Sequence, residues 1–239
     1  MEILAREVSL QEIAGLRDQY RAEMNCQVVH DSLHVREGWT KEFLLEGNGE
    51  TAGYGSIAVA GPWKGTRTVF EFYVLPEFGA HAFDCFDCFV EASQATAMEI
   101  QSNQEILLVM LHTYAHDIKS ERIVFEEGLT TAHPANGAVL KENATSEWIL
   151  EVDGVPAGSG GILYHYNRPY GDVYMEIAEP YRRRGYGSFL VQELKKICRE
   201  RAGIPAARCS TENIASRKTL QRAGFVPYAH ILLGTLPSK

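Results

Sequence analysis

The chain has 239 residues, 45% of them hydrophobic, and a formal net charge of −8. That length allows one large domain or two small ones, each with its own core. The acidic balance argues against a nucleic-acid partner, because neutralising phosphates needs basic surface, and no apolar run approaches the roughly 18 residues of a membrane-spanning helix.

The first residues, MEILAREVSLQEI, carry acid charge and helical punctuation where a secretory signal would have a basic start and an apolar block, so a cytoplasmic location is expected. Residues 1 to 40 read as a strand followed by at least one amphipathic helix, SLQEIAGLRDQYRAEM. The pairs His30/His34 and His112/His116 have helical spacing but no glutamate in an HExxH arrangement. Cys26, Cys85, Cys88, Cys198 and Cys209 form an odd set without framework spacing, and the CxxC at Cys85/Cys88 lacks the second pair of a zinc site. Free thiols and no metal are the expectation. The stretch AFDCFDCFVEAS reads instead as a helix burying its phenylalanines.

An internal repeat organises the rest. EFLLEGNGETAGYGSI from Glu42 matches EWILEVDGVPAGSGGI from Glu147 without a gap, with Leu45/Leu150, Gly49/Gly154, Ala52/Ala157, Gly53/Gly158, Gly55/Gly160 and Ile57/Ile162 among the identities. Each copy reads as a hairpin turning at Asn-Gly or Asp-Gly. The same register leads to Glu71 and Glu176, each inside a strand-like stretch, TVFEFYVL and DVYMEIAE. Further on, DIKSERIVFEEGL from Asp117 aligns with NIASRKTLQRAGF from Asn213, and each reads as a helix stopped by Gly128 or Gly224. The expected fold is therefore α/β, two mixed-sheet units in tandem, divided as residues 1–142 and 143–239.

The copies differ after the third strand. Copy one has LPEFGAHAFD there, whereas copy two has Arg182-Arg183-Arg184-Gly185-Tyr186-Gly187-Ser188. The latter opens a strongly periodic helix, with Leu190, Leu194, Ile197 and Cys198 on a buried stripe and Glu193, Lys195, Lys196, Arg199 and Glu200 expected to face water. A glycine-bearing turn at a helix start leaves backbone N–H groups unpaired, and with the helix dipole these form an anion site suited to diphosphate. The turn is neither a dinucleotide fingerprint nor a Walker loop, since it lacks a third glycine and a GK[ST].

Arg182, Gly185 and Gly187, followed one strand later by Asn213, Ser216, Gly224 and Phe225, resemble the two signatures of the GNAT superfamily of acetyl-CoA-dependent N-acetyltransferases. The resemblance covers roughly residues 144 to 236. It implies two central parallel strands that splay apart and admit the pantetheine arm. The backbone of Met175, Glu176 and Ile177 would hold the arm, the amides from Arg182 to Ser188 would wrap the diphosphate, and Asn213 and Ser216 would meet the pantetheine. It further implies acetyl-CoA as co-substrate, no metal, and a small-molecule or peptide amine as acceptor, in a monomer or homodimer. Copy one, with Asp117 in place of the asparagine, looks like a degenerate unit that takes no cofactor.

The family's usual general acid, a tyrosine seven residues beyond the asparagine, is replaced by Leu220. Tyr228 or a water could substitute. Glu176 is the candidate base, with Asp172 upstream on the same strand, although the matching Glu71 makes a structural role the more economical reading of Glu176. Tyr164, Tyr166 and Tyr170 read as packing residues. In the family, the first strand and the helices after it form part of the acceptor wall. Copy two lacks a visible counterpart, so its pocket is expected to be completed by the N-terminal half. An acyl-CoA sensor without turnover is the main alternative, and a nucleotide-dependent transferase is a weaker one.

Overall fold

The computed structural model describes residues 1–134, 137–145 and 147–237, which form two compact units. Unit 1 comprises Met1–Glu121 together with His230–Lys239, and unit 2 comprises Arg122–Ala229. Unit 1 contains β1 (Ile3–Val8), α1 (Ala14–Met24), β2 (Thr40–Gly47), β3 (Glu50–Ala58), β4 (Thr68–Val74), α2 (Ala82–Ser93), β5 (Ala97–Gln101), α3 (Glu105–Tyr114) and the start of β6 (His116–Glu127). Unit 2 holds the end of β6, then β7 (Ala138–Glu142), β8 (Trp148–Val152), β9 (Val155–Leu163), β10 (Tyr170–Ile177), α4 (Tyr186–Glu200), β11 (Ile204–Ser210), α5 (Ile214–Arg222) and the start of β12 (Phe225–Thr235). The chain thus leaves unit 1 along β6 and returns to it along β12, and the linear division at residue 142 does not follow the compact units.

Each unit has a mixed sheet. Unit 1 runs β1-β2-β3-β4-β5-β12 and unit 2 runs β6-β11-β10-β9-β8-β7, with β4–β5 and β10–β11 parallel and the other assigned pairs antiparallel. The repeated hairpins β2–β3 and β8–β9 turn at Asn48-Gly49, φ 51° and 85°, and at Asp153-Gly154, φ 51° and 81°. A two-residue hairpin turn of this hand needs positive φ at both positions, which Asn or Asp followed by Gly tolerates best.

Apolar faces then close each core. In unit 1, Phe86 and Phe89 of α2 meet Phe72 of β4 with ring centroids 5.0 and 6.0 Å apart. A Cβ at Gly55 would lie 2.5 Å from the Phe89 ring, so the missing side chain sets how closely α2 approaches the sheet. In unit 2, Leu190 and Leu194 of α4 and Leu220 of α5 pack with Ile123, Phe125, Val173, Ala207 and Cys209.

Three features depart from the sequence reading. The segment from Asp117 is strand β6, not a helix: Ile123, Val124 and Phe125 are all buried, and β6 pairs in antiparallel register with β11. Three consecutive buried apolar residues, two of them β-branched, suit a strand covered on both faces. The first-copy helix that corresponds to α5 is α3, one element earlier. A first strand also exists in the second copy: β7 pairs with β8 as β1 pairs with β2, but only residues 143–147 separate β7 from β8, whereas α1 lies between β1 and β2.

The third departure is Lys195, which is buried at 2% exposure instead of facing water. Its Nζ donates to the carbonyls of Leu129 (2.7 Å) and Ala223 (2.8 Å), and it lies 3.1 Å from Glu127. Burial pulls its pKa down against the opposing pull of Glu127. The amine thereby satisfies carbonyls at the end of α5 and beyond β6.

In unit 1, α1 and the 3-10 turn Val29–Leu33 are fixed to the sheet by buried charge. His34 contacts Glu42 through Nδ1 (3.1 Å) and Glu71 through Nε2 (3.0 Å). Tyr54 donates to Glu71 at 3.0 Å, and Arg17 reaches both Asp31 (2.5 Å) and Glu71 (3.7 Å). With a carboxylate at each ring nitrogen, His34 is held as the imidazolium. Burial alone would lower its pKa, but Glu71 and the two hydrogen bonds raise it. Burial likewise pushes Glu71 up, yet the charge and hydrogen bond of His34, together with Arg17 and Tyr54, hold it at about 2.

The signs of these shifts define a window. The contribution of Glu71, whose folded pKa is depressed, is present above its ordinary 4.5 and is lost as pH falls toward about 2. The contribution of His34, whose folded pKa is raised, is complete below 6.5 and is lost as pH rises through the folded value. Stability of unit 1 is therefore expected to fall on both flanks of that interval. His34→Ala should remove the alkaline flank and cost about 3 kcal/mol, because it takes the imidazolium from between two buried carboxylates. Urea unfolding across a pH series checks both statements.

Candidate active site

The site begins where two strands part. β10 and β11 pair in parallel from Tyr170↔Ile204 to Val173↔Ala207 and no further, although β10 continues to Ile177 and β11 to Ser210. Each keeps its outer neighbour: β10 stays on β9 as far as Ile177↔Gly158, and β11 stays on β6 as far as Ser210↔Arg122. One edge of Tyr174–Ile177 therefore faces a gap instead of a strand. A cavity of about 240 Å³ opens there.

Alternation along the strands assigns its walls. Val173 and Met175, with Ala207 and Cys209, point toward α4 and α5. Leu163, Asp172, Tyr174, Arg208 and Arg122 take the other face, as the registers Asp172↔Leu163, Asp172↔Ala206 and Ser210↔Arg122 require. The cavity is lined by residues of both kinds, with Met175, Ser216 and Leu220 on the helix side and Asp172, Tyr174, Arg208 and Arg122 on the other. It reads through the sheet.

The arginine-glycine turn lies directly after β10. Glu179–Tyr181 forms a single 3-10 turn, and Arg182 Nε donates to the Ile177 carbonyl at 2.8 Å, closing the chain back on the strand end. Arg183 at φ 61° and Gly185 at φ 90° then swing the backbone into α4, which starts at Tyr186. Among the described residues no side chain caps this helix and its first turn carries no acid, an arrangement that leaves leading N–H groups to be met from outside the helix. Arg182, Arg183, Arg184 and Gly185 are exposed around it. A Cβ on Gly187 would meet Thr219 at 3.2 Å, Ile177 at 3.6 Å and Met175 at 3.7 Å, so this glycine keeps the helix start close to β10 and α5. Ser188 is buried, its hydroxyl 3.5 Å from the Thr219 carbonyl.

Asn213 is the N-cap of α5, and its Oδ1 accepts from the Ser216 N–H at 2.9 Å. Its role in the fold is thus to start the helix that walls the gap. Of the residues singled out by sequence, Met175 and Ser216 line the cavity, while the turn from Arg182 to Ser188 and the Asn213 cap are set around the gap. Glu176 is exposed on the face away from the helices, and Tyr228 is half-buried on β12; neither lines the cavity. The match of Glu176 to Glu71 does not hold in the sheet. Glu71 lies opposite Ser56, and Ser56 corresponds to Gly161, which lies opposite Tyr174. A one-residue register shift opposite Ser56/Ile57 and a connection one residue longer before β4 than before β10 together offset the two glutamates by two positions, so the structural role of Glu71 carries no message about Glu176.

Sequence reading named Asp172 but missed the arginines on its side of the cavity. Arg208 Nη2 lies 3.2 Å from Asp172 Oδ2 and is hydrogen-bonded to the Tyr166 hydroxyl, and the guanidinium stacks 4.3 Å above the Tyr166 ring. Tyr166, expected to pack in a hairpin, instead fixes this arginine. A lone arginine in a strand carries no local signature. Only the register of β10 on β11 brings it to Asp172.

Unit 1 has a related cleft with different chemistry. There β4 and β5 pair at only two positions, Thr68↔Ala97 and Val69↔Met98, and a cleft of about 370 Å³ follows. Its walls include Glu23, with Tyr73 donating to it at 2.6 Å, and Glu105 in the first turn of α3. The turn leading into α2 carries Glu77, and the first turn of α2 carries Asp84, where unit 2 has three arginines. The residue in the position of Asn213 is Gln104, the N-cap of α3, whereas Asp117 lies in β6. Acid at these positions opposes a phosphate.

Residues 110–225 match the model of the acetyltransferase (GNAT) family. The chain carries a GNAT acetyltransferase domain. The match begins before β6 and ends at the first residue of β12, so it spans the strands and helices of unit 2. Solved structures of acetyltransferases, one of them a tandem GNAT protein, resemble the whole chain in fold. A GNAT-family acetyltransferase from Colwellia psychrerythraea is 12% identical with a TM-score of 0.75, over 99% of this chain and 100% of that one. A tandem GNAT protein from the clavulanic acid biosynthesis pathway is 12% identical with a TM-score of 0.64, over 100% and 99%. A GCN5-related N-acetyltransferase from Sphaerobacter thermophilus is 15% identical with a TM-score of 0.64, over 99% and 97%. No curated protein matches the chain in sequence.

The GNAT turn yields a local prediction. Gly185→Val would place a β-branched residue at φ 90°, a strain of roughly 1–3 kcal/mol, and should lower the melting temperature. Lys195→Met should cost about 1–3 kcal/mol by leaving the buried Ala223 carbonyl without this donor. Thermal denaturation of the two variants checks both.

Proposed function

We propose that unit 2 binds acetyl-CoA and transfers its acetyl group to a primary amine. The reading is carried by one juxtaposition: an uncapped helix start ringed by arginines stands immediately beyond a strand whose free edge lines a cavity. The N–H groups of residues 186–188 and the guanidinium groups suit a diphosphate. The unpaired edge of Met175, Glu176 and Ile177 suits an amide-bearing arm that pairs as a strand would, with Asn213 and Ser216 beside it. The thioester would then lie at the strand split, where the cavity passes through the sheet.

In the transfer, the amine nitrogen attacks the thioester carbon, the C–N bond forms, and the C–S bond breaks. The amine gives up a proton and the leaving thiolate takes one. A neutral nucleophile and a stabilised oxyanion are the two requirements. Glu176, on the open face beyond Tyr174, is our candidate for receiving the proton. Leu220, 3% exposed, occupies the helix-side wall and offers no proton to the thiolate. That leaves Tyr228 or water as the acid, and it also favours the alternative of an acyl-CoA sensor without turnover.

Arg183→Glu combined with Arg184→Glu tests the binding site, since both residues are exposed and the change leaves the core intact. Acetyl-CoA affinity is expected to fall at least tenfold by calorimetry, with a weaker salt dependence than the parent protein shows. Unchanged affinity would overturn the reading. Release of CoA thiol with an amine panel then separates transfer from sensing.

A further inference from the structure

We propose that the cleft of unit 1 binds a small organic cation, a primary ammonium carried on an apolar body. Binding there needs nothing from acyl transfer in unit 2.

The cleft opens where β4 loses its neighbour. β4 pairs with β5 at Thr68 and Val69, and among the described residues Phe72, Tyr73 and Val74 continue along it with no strand on that side. The other walls are the end of α1, with Tyr20 and Glu23, and the start of α3, with Gln104 and Glu105. The two carboxylates thus come from different helices. Among the described residues, none that lines the cleft is basic. The charges acting on its polar groups have the same sign. The Tyr73 hydroxyl, 2.6 Å from Glu23, is pushed up to about 12 by burial and then by Glu23 and Glu77. Arg17, whose charge reaches Tyr20, is already committed to Asp31 and Glu71.

Each carboxylate has a role in the fold. Glu105 stands in the first turn of α3, where the helix dipole favours an acid, and Glu23 accepts from Tyr73. Neither role accounts for Gln104. This N-cap residue of α3 is 5% exposed, and its Nε2 donates to the Tyr20 hydroxyl. Its Oε1 is buried with no hydrogen-bond partner among the described residues, and the side chain lines the cleft. A buried acceptor is ordinarily paired. The missing donor is one that a ligand can bring, and an ammonium brings three where a carboxylate brings none. Tyr20 and Tyr73, with ring centroids 6.0 Å apart, add aromatic faces that attract a cation. Phe72, Val74 and Leu107 belong to the apolar core of unit 1 and suit the body of the ligand. The volume of about 370 Å³ is that of a small-molecule site.

Calorimetric titration of the full-length protein at low salt compares three probes of one shape: phenethylamine, 2-phenylethanol and phenylacetate. Phenethylamine is expected to bind about tenfold or more tighter than the alcohol, with phenylacetate weakest. Glu23 and Glu105 are both exposed, so Glu23→Gln combined with Glu105→Gln removes the charges without touching the core. That variant should lose about tenfold in phenethylamine affinity while its melting temperature and its acetyl-CoA affinity stay at the parent values. Equal binding of amine and alcohol, no binding of the amine, or full amine affinity in the double variant would each overturn the proposal. Phenethylamine affinity should be unchanged in Arg183→Glu combined with Arg184→Glu, so failure of the acyl-transfer reading and failure of this one give different results.

Discussion

The loss of hydrogen bonding between β10 and β11 after Val173↔Ala207 is the constraint on which the site depends. A continuous parallel sheet would bury these residues under side chains from both faces and leave no path between them. Because the strands part, four residues of β10 keep one satisfied edge against β9 and have no strand on the other, and Tyr174 and Met175 among them line the cavity. Backbone polar groups that no strand satisfies must find another partner. In unit 2 that requirement coincides with an uncapped helix start and exposed arginines.

The two units show how one topology acquires different chemistry. Both split their parallel pair, and both start a helix just beyond it. Unit 1 places acid at the helix start and covers the opposite face of its sheet with α1 and the turn Val29–Leu33, locked by the network of Arg17, Asp31, His34, Glu42 and Glu71. Unit 2 places arginine at the helix start. Among the described residues it has no helix between β7 and β8, and the matching face of its sheet holds Asp172, Tyr174, Arg208 and Arg122. Where unit 1 uses buried charge to fix its own helix, unit 2 has charge lining a cavity. The buried network favours one arrangement of α1 rather than adding much net stability, since desolvating ions offsets most of their attraction.

Lys195 illustrates a related point about burial. Its sequence context, between apolar positions on a periodic helix, reads as the water-facing side. Its actual partners are two carbonyls and a glutamate contributed by β6, by the residues after it, and by the end of α5. The long aliphatic stem lets a charged group reach a buried acceptor set from a nominally polar helix position.

Residue order alone determined the hairpins, because Asn-Gly and Asp-Gly admit few other backbone conformations. It also determined the duplication, the helix opened by Gly185, and the family signatures at Arg182–Gly187 and Asn213–Phe225, since each rests on contiguous residues and local backbone geometry. Three things needed tertiary structure. β6 is a strand because β11 pairs with it, and its charged flanks hid the three-residue apolar centre. Glu71 and Glu176 share a sequence register but not a sheet register, because an irregularity in the β3–β4 pairing and a connection one residue longer in unit 1 together shift it by two positions. The grouping of Arg122, Asp172 and Arg208 arises from three strands far apart in the chain, and only the alignment of those strands, fixed by hydrogen bonds between them, puts the three charges on one face.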